Sequence, residues 1–308
     1  MRSTASCMND APLLDLDRRE VRSAFGRAAE SYDRAAVLQR EIADSLVARL
    51  DLIKLAPRHV LDVGSGTGYG TRALARRYPR ARIVGLDLSP AMARAARGPR
   101  RGWLGRWRRR DRYLCGDAER LPLADASIDL VFSNLTLQWC RLDAAFAEFA
   151  RVLRPGGLLM FTSFGPDTLK ELRAAWGAVD DAPHVHDFID MHDVGDALVR
   201  ARFRDPVMDV ERLTRSFPDV RAVLAELKAL GAHNAARGRP RALTGKRRFA
   251  RFEAAYAAQA GAGGRVPASY EVVYGHAWAP AADTGSRARA DGTVAVPVHR
   301  IARRGALR

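Results

Sequence analysis

At 308 residues, with 47% hydrophobic and 28% charged residues, the chain has the composition of a soluble globular protein with one sizeable core, and no stretch reaches the ~20 consecutive apolar residues of a membrane span. Cys7, Cys115 and Cys140 are too few and too scattered for a disulfide framework or a zinc knuckle, and the first twenty residues lack the apolar segment of a secretory signal, so a cytoplasmic enzyme is the expectation. The net charge of +16 invites a nucleic-acid partner, but residues 98–113 and 281–308 supply ten of those charges and only four lysines occur, which favours a solvated basic loop and tail over an RNA surface. A basic face equally suits an acidic protein partner.

In chain order, residues 1–17 read as a disordered leader. From Arg18 to Leu50 apolar residues recur at helical spacing (Val21, Phe25, Tyr32, then Leu38, Ile42, Leu46), predicting two helices ahead of the first strand. Then "HVLDV" (59–63) reads as a strand, 70–78 as a helix, "RIVGLDL" (82–88) as a strand and 89–97 as a helix. The basic insertion 98–113 follows. "DRYLCGDA", "IDLVFSN", a helix over 142–153 and "GGLLMFTSF" continue the alternation, with "RPGG" (154–157) as a turn. Later come helices over 166–179 and 193–203, a strand over 206–217, helices over 218–230 and 246–259, and a closing strand over 268–279. Alternating elements of this kind predict a doubly wound, mostly parallel α/β sheet. Residues 281–308 read as a basic disordered tail, leaving 18–280 as the folded domain.

The stretch "VLDVGSGTGYG" (60–70) places Gly64, Gly66, Gly68 and Gly70 directly after a buried strand, so that backbone N–H groups and a helix start can face a polar ligand. A dinucleotide site wants a third glycine at position 69, which is Tyr69. Asp62, just before the glycines, would repel a pyrophosphate but suits an ammonium group, as in the methionine end of S-adenosylmethionine (SAM). Asp87 ends the next strand, where a carboxylate can accept from a ribose diol. Asp117 ends the third and can accept from an adenine amine, and Asn134 ends the fourth. Leu88 and Ala118, beside the two acids, complete the candidate cofactor set. Four polar residues at successive strand ends fall on the side where doubly wound sheets bind ligands.

The motifs "VLDVGSGTG", "GLDLSPAM", "GDAERLPLADASIDLVFSNLTLQWC" and "ARVLRPGGLLMFTSFGPDTLKELRAAW" resemble the class I SAM-dependent methyltransferases. "FGRAAESYDRAAVLQRE", "FIDMHDVGDAL", "RALTGKRRF" and "PASYEVVYGHAW" narrow the resemblance to the malonyl-[acyl-carrier protein] O-methyltransferases of biotin synthesis (BioC type) over residues 18–280. It implies a Rossmann-like seven-stranded sheet, an N-terminal helical lid and a helical insertion after the fifth strand. It also implies SAM as methyl donor and an acidic malonyl-acyl-carrier protein as partner. The insertion 98–113 is longer than the family's usual connection, and the tail has no counterpart in it.

A carboxylate acceptor is ionised at pH 7 and needs no general base; the site has only to position it and exclude water. Phe25, Tyr32 and Gln39 are placed to form the lid, and Tyr32 and Trp139 to shape the substrate pocket. Arg141 is the first candidate to hold the malonyl carboxylate, with Lys246 and Arg247 next. His184, His186 and His192 lack a metal-site pattern and are not assigned a metal; Trp103 and Trp107 read as loop anchors. Two alternatives remain open: an assembly factor of the same fold that modifies a protein side chain, and an RNA methyltransferase.

Overall fold

The computed structural model describes residues 16–98, 111–240, 242 and 244–280, so most of the leader, most of the basic insertion with both its tryptophans, and the whole tail lie outside the described residues. Seven strands form one sheet: β1 (His59–Val63), β2 (Arg82–Asp87), β3 (Asp111–Cys115), β4 (Ile128–Ser133), β5 (Leu153–Phe164), β6 (Arg204–Phe217) and β7 (Val266–Trp278). Their spatial order is β3-β2-β1-β4-β5-β7-β6. The first five are parallel, while β7 runs antiparallel between β5 and β6. The winding reverses at β1, between β2 and β4, and it is outside the carboxyl ends of strands at such a reversal that doubly wound sheets hold ligands.

Ten α-helices among the described residues flank the sheet: α1 (Arg18–Ala28), α2 (Tyr32–Ala35), α3 (Val37–Arg49), α4 (Tyr69–Arg77), α5 (Pro90–Arg97), α6 (Leu142–Val152), α7 (Lys170–Gly177), α8 (Met191–Arg200), α9 (Val220–Ala229) and α10 (Lys246–Ala257). The strands alternate their side chains between two cores. On one face Leu61, Val63, Val131, Leu159 and Phe161 meet Val21 of α1, Phe146 and Phe149 of α6, and Val194 and Leu198 of α8. On the other, Val60, Leu130, Phe132, Leu158 and Met160 meet Leu38, Ile42 and Leu46 of α3, Trp176 of α7, Val223 of α9 and Phe252 and Tyr256 of α10. Both faces are covered, which is why β1 and β4 read as almost continuous apolar runs.

Three details stand out against the sequence reading. Three helices, not two, precede β1: the chain breaks at Ser31 and again at Ala36, where ψ is 45°. At the first break the Ser31 hydroxyl donates to Ala28 O (3.1 Å) and to Ala229 O (2.8 Å) at the end of α9, a partner no local pattern could reveal. Helix α8 begins at Met191 rather than 193, because Asp190 accepts the His192 N–H at 2.8 Å and caps it. The "RPGG" stretch is a kink inside the extended chain. The register with β4 jumps from Ile128↔Leu153 to Leu130↔Leu158, and Gly156 supplies a φ of +74°.

Candidate active site

The glycine stretch leaves β1 as a tight loop whose first three N–H groups are all committed. Gly64 N and Ser65 N donate to Leu86 O (2.7 and 3.0 Å), and Gly66 N donates to Asp87 Oδ2 (2.9 Å). Gly64 sits at φ +71°, and a Cβ there would run into the side chain of Thr136. Only a glycine lets the loop pass between β2 and the turn after β4. Asp87 receives a second backbone donor, Ser89 N at 2.7 Å on Oδ1, so its two oxygens are fixed and each keeps a free lone pair. Burial nevertheless raises its pKa to about 6.

Around this loop lie two adjoining cavities. The larger is lined by Asp87, Leu88, Met92, Asp117, Ala118, Val63, Leu86 and Cys140, together with Arg18, Val21 and Phe25 of α1 and with Trp139. The smaller is lined by Asp62, Ser65, Thr67, Tyr69, Asp33, Gln39 and Arg40. Tyr32, Gly64, Gly66 and Asn134 border both and form the partition. Asp62 is 2% exposed and accepts the Thr71 hydroxyl of α4 at 2.6 Å. Burial, with Asp87 adding to it, raises its pKa to about 7. In the same small cavity Arg40 is half-buried, donates to Asp33 O at 2.7 Å, and makes no ion pair among the described residues. Two buried acceptors there, Gln39 Oε1 and Ser65 Oγ, have no partner. Unpartnered polar atoms, an acid and a guanidinium without an ion pair thus line one small cavity.

The wall after β4 is strained. Leu135 occupies φ +50°, a left-handed conformation that costs a non-glycine residue of order 1–3 kcal/mol. Its N–H is held by Thr162 Oγ1 (2.9 Å), which also donates to Asn134 Oδ1 (2.9 Å), while Asn134 Nδ2 reaches Gln39 O of α3 at 3.1 Å. Asn134 therefore stitches the lid to the sheet at the partition. Trp139 is clasped edge-on by Phe25 (5.3 Å between centroids) and tilted against His186 (4.7 Å).

The lid is anchored at the start of α1. Asp17 accepts the N–H groups of Arg19 and Glu20 and its own N–H donates to Ala235 O at 2.8 Å. Arg18 then reaches across the larger cavity, pairing with Asp117 and with Glu119 (2.7 Å). Burial, with Asp87 and Asp33 beside it, keeps the Tyr32 phenol protonated well above its ordinary range. Burial also pushes the Cys140 thiol up to about 12. His186 is held down to about 4, by burial first and by Arg173 second. At neutral pH none of the three is ionised.

The cavities gather most of the residues singled out in the sequence: Tyr32, Asp62, Gly64, Gly66, Asp87, Leu88, Asp117, Ala118, Asn134 and Trp139. Gly68 lines neither. It caps α4 at φ +85°, with Tyr113 where a Cβ would stand. Arg141 is also elsewhere. Its backbone N–H, Nε and Nη2 all bind Glu119 (2.9, 2.8 and 2.8 Å), and its side chain is 66% exposed. Its neighbour in sequence, Trp139, faces the cavity because the short turn Leu137–Trp139 ends there and turns Arg141 outward onto the start of α6. Lys246 and Arg247 are exposed at the start of α10 and line neither cavity. The three histidines do not converge: His184 binds Asp180, His192 binds Asp190, and His186 is buried beside Trp139. Among the described residues no group of three metal-ligating side chains comes together. The sequence reading missed Arg18, Asp33, Arg40 and Thr136; only the helical spacing of Arg18 with Val21 and Phe25 hinted at one of them.

Residues 61–161 match the model of a methyltransferase domain. The malonyl-[acyl-carrier protein] O-methyltransferase of Laribacter hongkongensis is 57% identical over 270 residues, covering 86% of this chain and 91% of that protein. The chain belongs to this family. A second member, from Halorhodospira halophila, is 51% identical over 299 residues and covers 96% of this chain and 99% of its own. Among solved structures, the YcgJ protein of Bacillus subtilis overlays with a TM-score of 0.55 at 17% identity, covering 77% of this chain and 98% of its own, a likeness of fold. In this methyltransferase the glycine loop and all four strand-tip residues, Asp62, Asp87, Asp117 and Asn134, lie inside the matched segment. Among the described residues no helix is long and apolar enough to cross a membrane.

Proposed function

We propose that the protein transfers the methyl group of SAM to the free carboxylate of a malonyl thioester carried on acyl-carrier protein, giving the methyl ester that primes the biotin precursor. The observation that carries the reading is the small cavity beside the glycine loop, lined by both a buried acid, Asp62, and a guanidinium without an ion pair among the described residues, Arg40. Asp62 suits the ammonium of the cofactor's methionine end and Arg40 its carboxylate. Asp87 suits the ribose diol; Asp117, with Leu88, Met92 and Ala118, suits the adenine. The donor set thus fits SAM along its whole length, and the bound cofactor supplies an already activated sulfonium methyl group.

The protein's own part is positional. The acceptor carboxylate is ionised at neutral pH, and none of the side chains able to take a proton nearby is needed: Tyr32, Cys140 and His186 all remain neutral. Tyr32 at the partition is a donor to whatever lies between the two cavities, and it can orient one carboxylate oxygen while the other faces the methyl group. Phe25 and Trp139 close the cavity with hydrocarbon and exclude water that would solvate the nucleophile. The residue that grips the malonyl carboxylate is not Arg141 in this reading, since that guanidinium is committed to Glu119.

Incubating the protein with methyl-labelled SAM and, in parallel, malonyl-carrier, unloaded carrier and bulk RNA tests the reading. The expected result is base-labile label on malonyl-carrier alone. Label on RNA, or on a protein side chain stable to base, would instead favour one of the two alternatives.

A further inference from the structure

Helix α1 has two working faces. Arg18, Val21 and Phe25 look into the cofactor cavity, whereas Arg19, Arg22, Ser23 and Arg27 border an open groove on the opposite side. The far wall of that groove is the start of α5, with Ser89 and Arg94. Arg27 is satisfied by Glu20 (2.9 Å). Arg19, Arg22 and Arg94 are exposed, and among the described residues they form no ion pair and no acidic residue lines the groove.

Crowding these groups is unfavourable in the free protein. Arg19 and Arg22 are three residues apart on one helix, where like charges repel, and Arg94 faces them from the next helix. Many other surface arginines carry an acidic partner, as Arg151 does with Asp125 and Glu148, and Arg221 with Glu253. The opening turn of α5 adds its partial positive charge, Ser89 already serving as its N-cap. A docked anion relieves all of these repulsions at once. The groove also adjoins the site: Leu88 lines the cavity and Ser89, the next residue, lines the groove.

We propose that the α1/α5 groove, through Arg19, Arg22 and Arg94, is the docking surface for the acyl-carrier protein, receiving the phosphodiester of its prosthetic arm and the acidic side chains around it. The inference rests on the carrier-linked substrate proposed above. The carrier sits on the outer face of α1, and its arm passes the end of the lid to bring the malonyl group to Tyr32. A substrate without phosphate or carrier makes no use of the groove.

The test uses the full chain with Arg22→Glu/Arg94→Glu, both exposed positions away from the cavity. Malonyl-carrier is compared with malonyl N-acetylcysteamine thioester, and carrier binding is read separately by fluorescence anisotropy. The expected result is a KM for malonyl-carrier raised about tenfold or more at 0.15 M salt. Carrier affinity should fall in step and the wild-type salt dependence should flatten. Turnover of the small thioester should stay at the wild-type rate, which also certifies the fold. Unchanged carrier affinity and salt dependence overturn the proposal. If the wild type binds the carrier but methylates neither thioester, the reaction is refuted while the anisotropy still decides the groove.

Discussion

The two walls of the cavity are held by different kinds of bond. On the sheet side, each functional group is fixed by a near neighbour or by the adjoining strand: Asp87 by Ser89 and Gly66, Asp62 by Thr71, the glycine loop by Leu86. On the lid side the partners are remote. Asp17 N binds Ala235 O, Ser31 binds Ala229 O, and Arg18 pairs with Asp117. A wall made of strand tips moves only with the sheet, whereas a lid tied by a few distant bonds can open at a small fraction of the global unfolding free energy. On the function proposed above, cofactor recognition by the sheet and coverage of the acceptor by the lid are therefore separable, and each can be broken without the other.

The largest effect belongs to the rigid wall. Gly64→Val forces a β-branched side chain into φ +71° and into Thr136, and should cost roughly 2–4 kcal/mol of stability while abolishing measurable SAM binding. Thermal unfolding and calorimetry read the two losses. Asp87→Ala should weaken SAM by ~1–3 kcal/mol, the range for a lost charge-assisted partner, with the fold retained. A folded variant of unchanged affinity would remove Asp87 from the cofactor site.

The same wall should be sensitive to pH. Burial raises Asp62 to about 7 and Asp87 to about 6, both above the ordinary carboxylate range. Both acids therefore favour the ligand-free fold when protonated, and that contribution, complete below about pH 4, is lost as pH rises through 6 and 7. Cofactor binding has the opposite preference, because an ammonium group wants Asp62 ionised. SAM affinity should accordingly fall as pH drops below about 7 and fall more steeply below 6. Asp62→Asn, which keeps a partner for Thr71, should bind SAM more weakly and lose the upper inflection in titrations between pH 5.5 and 8. An inflection that survives this change belongs to another group.

The lid should respond separately. Arg18→Met removes its pairs to Asp117 and Glu119, worth ~1 kcal/mol for a guanidinium in partial contact with solvent. Amide exchange in α1 should accelerate while protection in β1 and β4 stays as in the wild type. Equal acceleration in the sheet would mean that lid and sheet open as one unit.

This contrast also explains what could be read from the sequence. Strand tips announce themselves because a buried β-strand is a short apolar run, so the polar residue that ends it stands out, as Asp62, Asp87 and Asn134 do. Their burial and direction follow from the topology, which the alternation of elements already specified. The lid offers no such marker. Arg40 follows Gln39 in an ordinary helical run, and nothing local distinguishes it from Arg49, which instead pairs with Asp209 on β6. Arg141 lies outside both cavities for a related reason: nearness to Trp139 in sequence becomes divergence in space within one short turn.

Arg141 also yields the smallest expected effect. Arg141 is two-thirds exposed, but the Glu119 side chain it binds is only 3% exposed, and a buried carboxylate stripped of every cation is costly. Glu119 keeps a second partner, however, in Arg18 at 2.7 Å, and still accepts the Arg141 backbone N–H, which substitution leaves in place. Arg141→Met should therefore lower stability by no more than ~0.5 kcal/mol. The KM for malonyl-carrier and the affinity for SAM should remain at wild-type values. The double variant Arg18→Met/Arg141→Met removes both cations and leaves Glu119 buried beside Asp117, so its loss of stability should exceed the sum of the single losses. If Arg141→Met alone instead raises the malonyl KM tenfold, the guanidinium must leave Glu119 when substrate binds, and the outward-facing arrangement is that of the empty enzyme alone.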